Sequence, residues 1–298
     1  SFKWLKSYLD FDLTPERTSE ILTDTGLEIE GLQKFEEIQG GLVGVVVGEV
    51  LSCEPHPDAD RLKVTQVNLG SETVQIVCGA PNVSMGQKVL VATVGTTLYP
   101  NESETFKIKK AKIRGVESFG MICAEDELGL GGAHEGILVL PKEITAGTEA
   151  AEFYDLYTDY QLEIGLTPNR CDAMGHIGVA RDLKAFLNFH ENKNLALNLP
   201  DTAISMPKAE DSDELLITIE DTNLCPRYIG AILENIKVQD SPKWLQNRLK
   251  AIGLEPINNV VDVSNFIMYE YGTPMHAFDR DKLGKDITVK KAEKGAVF

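Results

Sequence analysis

The sequence predicts a multidomain α+β chain. A small antiparallel β-barrel is set into a split α/β domain, and a further α+β domain follows. Three observations predict it. Between residues 43 and 113, short apolar runs rich in Val and Ile succeed one another, each bounded by Gly, Pro or Asn, with no strong helical period in the gaps. The first forty residues carry a helical period but too little apolar surface to fold alone, and the nearest complementary helix pattern lies beyond 150. From 215 onward, strand and helix patterns alternate. A length of 298 residues allows two or three domains.

Taken in order, Phe2, Leu5 and Leu9 share one helical face with Trp4 and Tyr8 beside it. Thr14 reads as an N-cap with Pro15 in the first helical position, and that helix stops near Gly26. Leu27–Glu30 alternates as a strand. Val43–Val50, Leu62–Asn68, Val74–Cys78, Lys88–Val94 and Ile108–Ile113 are the barrel strands, and an oligonucleotide-binding (OB) barrel is the leading fold. Tyr160–Ile164 is a strand. Ile177, Ala180, Leu183, Phe186 and Leu187 then mark a helix. Residues 196–213 read as a linker rich in Asn, Pro, Asp and Ser. Leu215–Ile219, Cys225–Ile232 and Ile287–Ala292 are strands of the last domain. Ser241-Pro242 caps a helix ended by Gly253. Asn258-Asn259 caps another, ended by Gly272.

Composition sets limits on function. Net charge is −17, and residues 40–150 alone carry −5, so nucleic-acid binding must rest on local patches. No apolar run is long enough to span a bilayer, and no signal peptide is recognisable. The five Cys are scattered with no C-x-x-C pair, which points to reduced thiols in the cytoplasm. A chain that opens on Ser1 and ends in a strand pattern at Phe298 reads as a piece of a longer protein.

Four groups of residues invite a chemical reading. Lys107, Lys109, Lys110, Lys112 and Arg114 place five cations within eight residues, suited to a phosphate backbone or, equally, to guarding an exposed edge strand. Aromatic partners near them are few: Tyr99, Phe106 and Phe119. His56, Asp58 and Asp60 lack a fourth ligand and suit a turn better than a metal. Gly175-His176-Ile177-Gly178 mimics a nucleotide-binding signature, but Val179 stands where its second His belongs, and the segment is assigned to structure. Pro256–Asn265 leads through an Asn-rich helix to Gly272-Thr273-Pro274-Met275-His276-Ala277-Phe278-Asp279. A lone His is usually structural, but this one leaves a Gly-x-Pro loop. No P-loop, dinucleotide fingerprint or nucleophile elbow occurs.

The runs Pro55–Val67, Val77–Val83 and Arg114–Met121, the last an Arg-Gly-Val-Glu-Ser-x-Gly-Met segment, resemble the tRNA-binding module of several tRNA synthetases. With its flanks, the chain resembles the bacterial phenylalanyl-tRNA synthetase β subunit throughout its length. The resemblance implies a split N-terminal domain over 1–39 and 151–198, an OB-fold domain over 40–150, and the first part of an editing domain over 199–298. It implies an enzyme, phenylalanine–tRNA ligase, that joins phenylalanine to tRNA(Phe) in the cytoplasm as an α2β2 heterotetramer using ATP and magnesium. No cofactor is expected in this fragment, which alone should not aminoacylate. The implied editing site hydrolyses mischarged Tyr-tRNA(Phe). It draws on His276, Pro274, Asn259 and Asn265, with another wall, including a Glu that reads the tyrosine hydroxyl, beyond Phe298. Editing has a physical motive, because an apolar pocket rejects an added hydroxyl by only about a hundredfold. The rival is a non-catalytic tRNA-binding adaptor, which needs no 274–278 loop and predicts a basic barrel.

Overall fold

The computed structural model describes residues 1–101, 104–132, 135–201 and 215–297. The chain divides into two compact units, Lys34–Asp159 and the combination of Ser1–Gln33 with Tyr160–Phe298.

The discontinuous unit begins with α1 (Phe2–Tyr8), whose N-cap Ser1 accepts a hydrogen bond from the Trp4 N–H. In α2 (Pro15–Asp24), Thr14 caps the helix by accepting from Arg17 N–H, with Pro15 where its missing N–H costs nothing. Strand β1 (Glu28–Glu36) is longer than its sequence pattern suggested.

The second unit is built on β2 (Val45–His56), β3 (Ala59–Asn68), β4 (Thr73–Cys78) and β5 (Lys88–Ala92). Then come β6 (Thr97–Asn101), β7 (Glu104–Lys107), β8 (Ala111–Ile113), β9 (Val116–Ser118), β10 (Met121–Ile122), β11 (Val139–Leu140) and the short α3 (Ala150–Phe153). The main sheet runs β10-β5-β2-β3-β4, antiparallel throughout, with β11 also on β5. It curls on itself. Past the free edge of β4, Val77 N–H donates to Ser118 Oγ, and Phe119 N–H donates to Gln75 O, just before the chain enters β10 on the opposite edge. Both faces of the sheet are packed: along β5, Val89 and Val91 join the cluster of Val67 and Ile76 on one face, and Leu90 and Ala92 join Leu98 and Leu128 on the other.

The expected strand Ile108–Ile113 is not continuous. Ile108 is only 3% exposed; its N–H donates to Thr96 O and its carbonyl accepts from Gly95. Burying that side chain turns the backbone, so β7 stops at Lys107 and pairing resumes at Ala111. The β8–β9 hairpin has two central residues, Arg114 (φ 43°) and Gly115 (φ 88°), both left-handed as a type I′ turn requires.

The chain then returns to the first unit through β12 (Thr158–Gly165), the partner of β1, and α4 (His176–His190). Phe2, Trp4 and Leu5 of α1, Ile21 and Leu22 of α2 and Ile177, Ala180, Leu183 and Leu187 of α4 form one buried cluster. After 215 come β13 (Leu216–Ile219), α5 (Lys243–Lys250), α6 (Asn259–Tyr271), α7 (Arg280–Leu283) and β14 (Asp286–Val289), with β13 and β14 parallel. Cys225–Ile232, expected as a strand, pairs with no other strand among the described residues. Ile229, at 71% exposed, has no face to cover. Most of the sequence-derived linker, 202–213, lies outside the described residues.

Candidate functional site

Helix α6 carries two of the four candidate editing residues and launches the loop bearing the others. Its N-terminus is secured three times. Asn258 Oδ1 accepts from the N–H groups of Val260 and Val261, which would otherwise be orphaned at the helix start. Asp262 is fully buried and takes the Ser241 hydroxyl at 2.5 Å on one oxygen and Ile257 N–H at 2.8 Å on the other. Ser241, expected as a helix cap, therefore turns its hydroxyl to Asp262, and Pro242 occupies the cap position of α5.

Asn259 is a clamp. Its Oδ1 accepts from Gln239 N–H at 3.2 Å and its Nδ2 donates to Lys237 O at 3.0 Å, fastening the preceding segment to the helix. Asn265 lies six residues on, about 9 Å further along the axis and roughly a third of a turn round. It is half-buried and forms no side-chain hydrogen bond among the described residues. The two asparagines thus occupy different faces of α6.

At the other end, Gly272 (φ 77°) terminates α6 in the left-handed conformation, its N–H donating to Met268 O. Asp279 caps α7 by accepting from Asp281 N–H. The six residues between these caps form an exposed loop. Pro274 and His276 both face solvent, and the His276 ring lies 6.2 Å from that of Phe278, itself 58% exposed. An accessible imidazole on a loop anchored at both ends can donate, accept or orient a water.

The basic segment is less uniform than its sequence. Lys110 pairs with Glu117 at 3.0 Å and lies 4.6 Å over the Phe119 ring. Arg114 donates to Asp58 O, bracing the β2–β3 turn. Lys107, Lys109 and Lys112 are exposed. Lys109 and the exposed Phe106 line a cleft of about 490 Å³ walled by Val77, Ile108, Met121 and Ile122. Of the three aromatics singled out from sequence, Phe106 is the exposed one; Tyr99 and Phe119 are half-buried. His56 is buried in the turn, accepting Asp58 N–H on Nδ1, with Nε2 3.1 Å from Ile113 O.

Sequence reasoning overlooked the pairing of Ser241 with Asp262. The available signal was an acid set in the apolar run Val260-Val261-Asp262-Val263, where only a buried hydrogen-bonding duty keeps a carboxylate.

Two family models match the chain: a putative tRNA binding domain over residues 45–149 and a B3/4 domain over 224–298. The first places the chain among proteins with a tRNA-binding type of domain. The curated relatives make the class specific. The chain is 51% identical over its whole length to a phenylalanine–tRNA ligase β subunit of Bacteroides fragilis and 48% identical to that of Porphyromonas gingivalis, covering 36% of each. It is 43% identical to the Fusobacterium nucleatum β subunit, of which it covers 35%. The chain is similar along its whole length to phenylalanine–tRNA ligase β subunits and spans about a third of the length of these relatives.

Proposed function

We propose that this chain is the portion of a phenylalanine–tRNA ligase β subunit that carries an RNA-binding barrel and one wall of an editing site for mischarged Tyr-tRNA(Phe). The carrying observation is identity of 51% sustained across both units rather than confined to the barrel. That breadth favours the ligase over a free-standing tRNA-binding adaptor, which would share only residues 45–149. The finer architecture belongs to the same reading: an OB-fold barrel over 40–150, inserted in a split domain of 1–39 and 151–198, with the first part of the editing domain at 199–298. The curled antiparallel sheet and the β1–β12 pairing support it.

In the complete enzyme, an α subunit completes an α2β2 heterotetramer in the cytoplasm and uses ATP and magnesium to charge tRNA(Phe). Among the described residues, no group of three His, Cys, Asp or Glu is placed to hold a metal ion.

Editing is ester hydrolysis. Water oxygen bonds to the tyrosyl carbonyl carbon, the ribose oxygen leaves and takes a proton, and free tyrosine and tRNA result. His276 and Asn265 orient the water and the terminal ribose, and Pro274 fixes the loop that presents them. Asn259 contributes through its grip on residues 237–239.

The test is deacylation of preformed Tyr-tRNA(Phe) by the complete ligase, beside a phenylalanine-charging assay on the same preparation. His276→Ala is expected to slow deacylation about tenfold or more and spare charging, and adding Asn265→Ala to slow it further. Unimpaired deacylation by the double variant would remove this loop from the site.

A further inference from the structure

The segment Gly175-His176 serves no function assigned above, yet it sits against the end of α6. The last carbonyls of a helix have no partners within it and must find them elsewhere. For α6, Met268 O is taken by Gly272 N–H, and Tyr269 O is taken by His176, whose Nδ1 lies 2.6 Å away. A carbonyl can only accept, so Nδ1 carries the proton, and Nε2 is the atom facing the Ser1 nitrogen at 2.9 Å. The next residue, Glu270, is buried and accepts the Tyr8 hydroxyl. The imidazole is fixed from its face as well, stacked on Trp4 at 3.9 Å, and Trp4 stacks in turn on Phe266 of α6 at 4.7 Å.

Backbone meets backbone at the same place. A Cβ added to Gly175 would stand 2.5 Å from Glu270 O and 2.6 Å from Gly272 N. One added to Gly272 would stand 3.1 Å from Met174 Cβ. Two glycines therefore let the start of α4 and the end of α6 approach with nothing between them. Gly272 is the residue from which the Pro274–Phe278 loop departs.

We propose that Gly175 and His176 form a seat that fixes where the 272–279 loop leaves α6, making them positioning residues for His276. The proposal rests on the editing reading of that loop. Ordinary contact begins at about 3.4 Å, so Gly175→Ala must push the α6 terminus away by about 0.9 Å, the difference from 2.5 Å. A misplacement near 1 Å at a remote support costs up to about a hundredfold in rate. His176→Leu removes the donor to Tyr269 O. His176→Asn keeps an N–H donor on a side chain of similar reach.

Two measurements decide it. The first is amide hydrogen exchange on this chain, comparing residues 272–279 with the remainder of their unit. The second is Tyr-tRNA deacylation by the complete ligase, with phenylalanine charging as its reference. Gly175→Ala and His176→Leu are expected to speed exchange at 272–279 and lower deacylation tenfold to a hundredfold with charging unchanged, and His176→Asn to restore both. Unchanged exchange and deacylation in Gly175→Ala and His176→Leu would overturn the proposal. So would equal behaviour of the Leu and Asn variants at 176, which decides the matter if Gly175→Ala loses protection throughout its unit. If His276→Ala itself leaves deacylation intact, the editing reading fails, while the exchange comparison still decides whether the seat holds the loop.

Discussion

Replacing Asp262 with Ala should destabilise the discontinuous unit by about 2–6 kcal/mol. The side chain is 0% exposed and satisfies two donors, the Ser241 hydroxyl and the Ile257 N–H. Each donor left unsatisfied in a buried site costs about 1–3 kcal/mol, and the alanine offers neither an acceptor. The protein supplies its own reporter. Its two tryptophans, Trp4 and Trp244, both lie in that unit, and Trp4 is fully buried. Urea unfolding followed by tryptophan fluorescence therefore reads this unit and is blind to residues 34–159. With a slope of about 2 kcal/mol per molar urea, the midpoint should fall by about 1–3 M. Ser241→Ala removes one donor along with its hydrogen bond and should cost less, and the double variant should cost little more than Asp262→Ala alone. A shift below about 0.2 M for Asp262→Ala would refute the reasoning, because it would mean that water or a rearranged loop satisfies both donors.

The remaining predictions follow from charge and burial. Lys107→Ala with Lys109→Ala should weaken RNA binding and flatten its dependence on the logarithm of salt by about 1.5, whereas an unchanged slope would make these lysines edge protectors. Thiol-reactive reagents should label exposed Cys171 quickly and Cys123 only on unfolding, since burial pushes the Cys123 thiol up to about 12; fast labelling of Cys123 in the native chain would contradict its placement. Burial holds the His176 imidazole well below its ordinary value of 6.5, with Arg248 adding to the effect and the bond to Tyr269 O opposing it. The native state thus resists a proton that the unfolded chain accepts. Stability of this unit should be fully present above about 6.5 and fall as pH drops, at up to about 1.4 kcal/mol per pH unit. The fluorescence midpoint measured between pH 7.5 and 5.5 should show this loss, and His176→Asn should remove it; equal pH dependence in the two proteins would refute the assignment.

The sequence was informative wherever local chemistry decides conformation. Thr14-Pro15, Asn258 and Gly272 mark helix ends because capping depends on a few adjacent atoms, and the structure uses each as expected. Strands β3 and β4 were legible because their apolar residues alternate between turn residues. Misreadings came where distant partners decide. Ile108 looks like part of one strand until the core that swallows it is known. The Cys225–Ile232 pattern is apolar enough for a strand but pairs with no strand among the described residues. At the candidate site, the loop residues were named through the family resemblance. The division of labour could not, since only the fold reveals Asn259 clamping residues 237–239 and His176 reaching Tyr269, 93 residues away.

The pairing of β1 with β12 also governs the order in which the chain is finished on the ribosome. Glu37 N–H donates to Tyr157 O, and Glu37 Oε2 accepts from Tyr157 N–H, so the span between them begins and ends at one point. That span can reach its final shape as soon as it has been made. Phe2, Trp4 and Leu5 cannot, because the cluster that shelters them needs Ala180, Leu183 and Leu187. At about 5–20 residues per second, those first apolar side chains wait roughly ten to forty seconds for their cover. The α1 segment is thus buried only well after the span that follows it has been made, and over that interval the nascent chain is most in need of a chaperone.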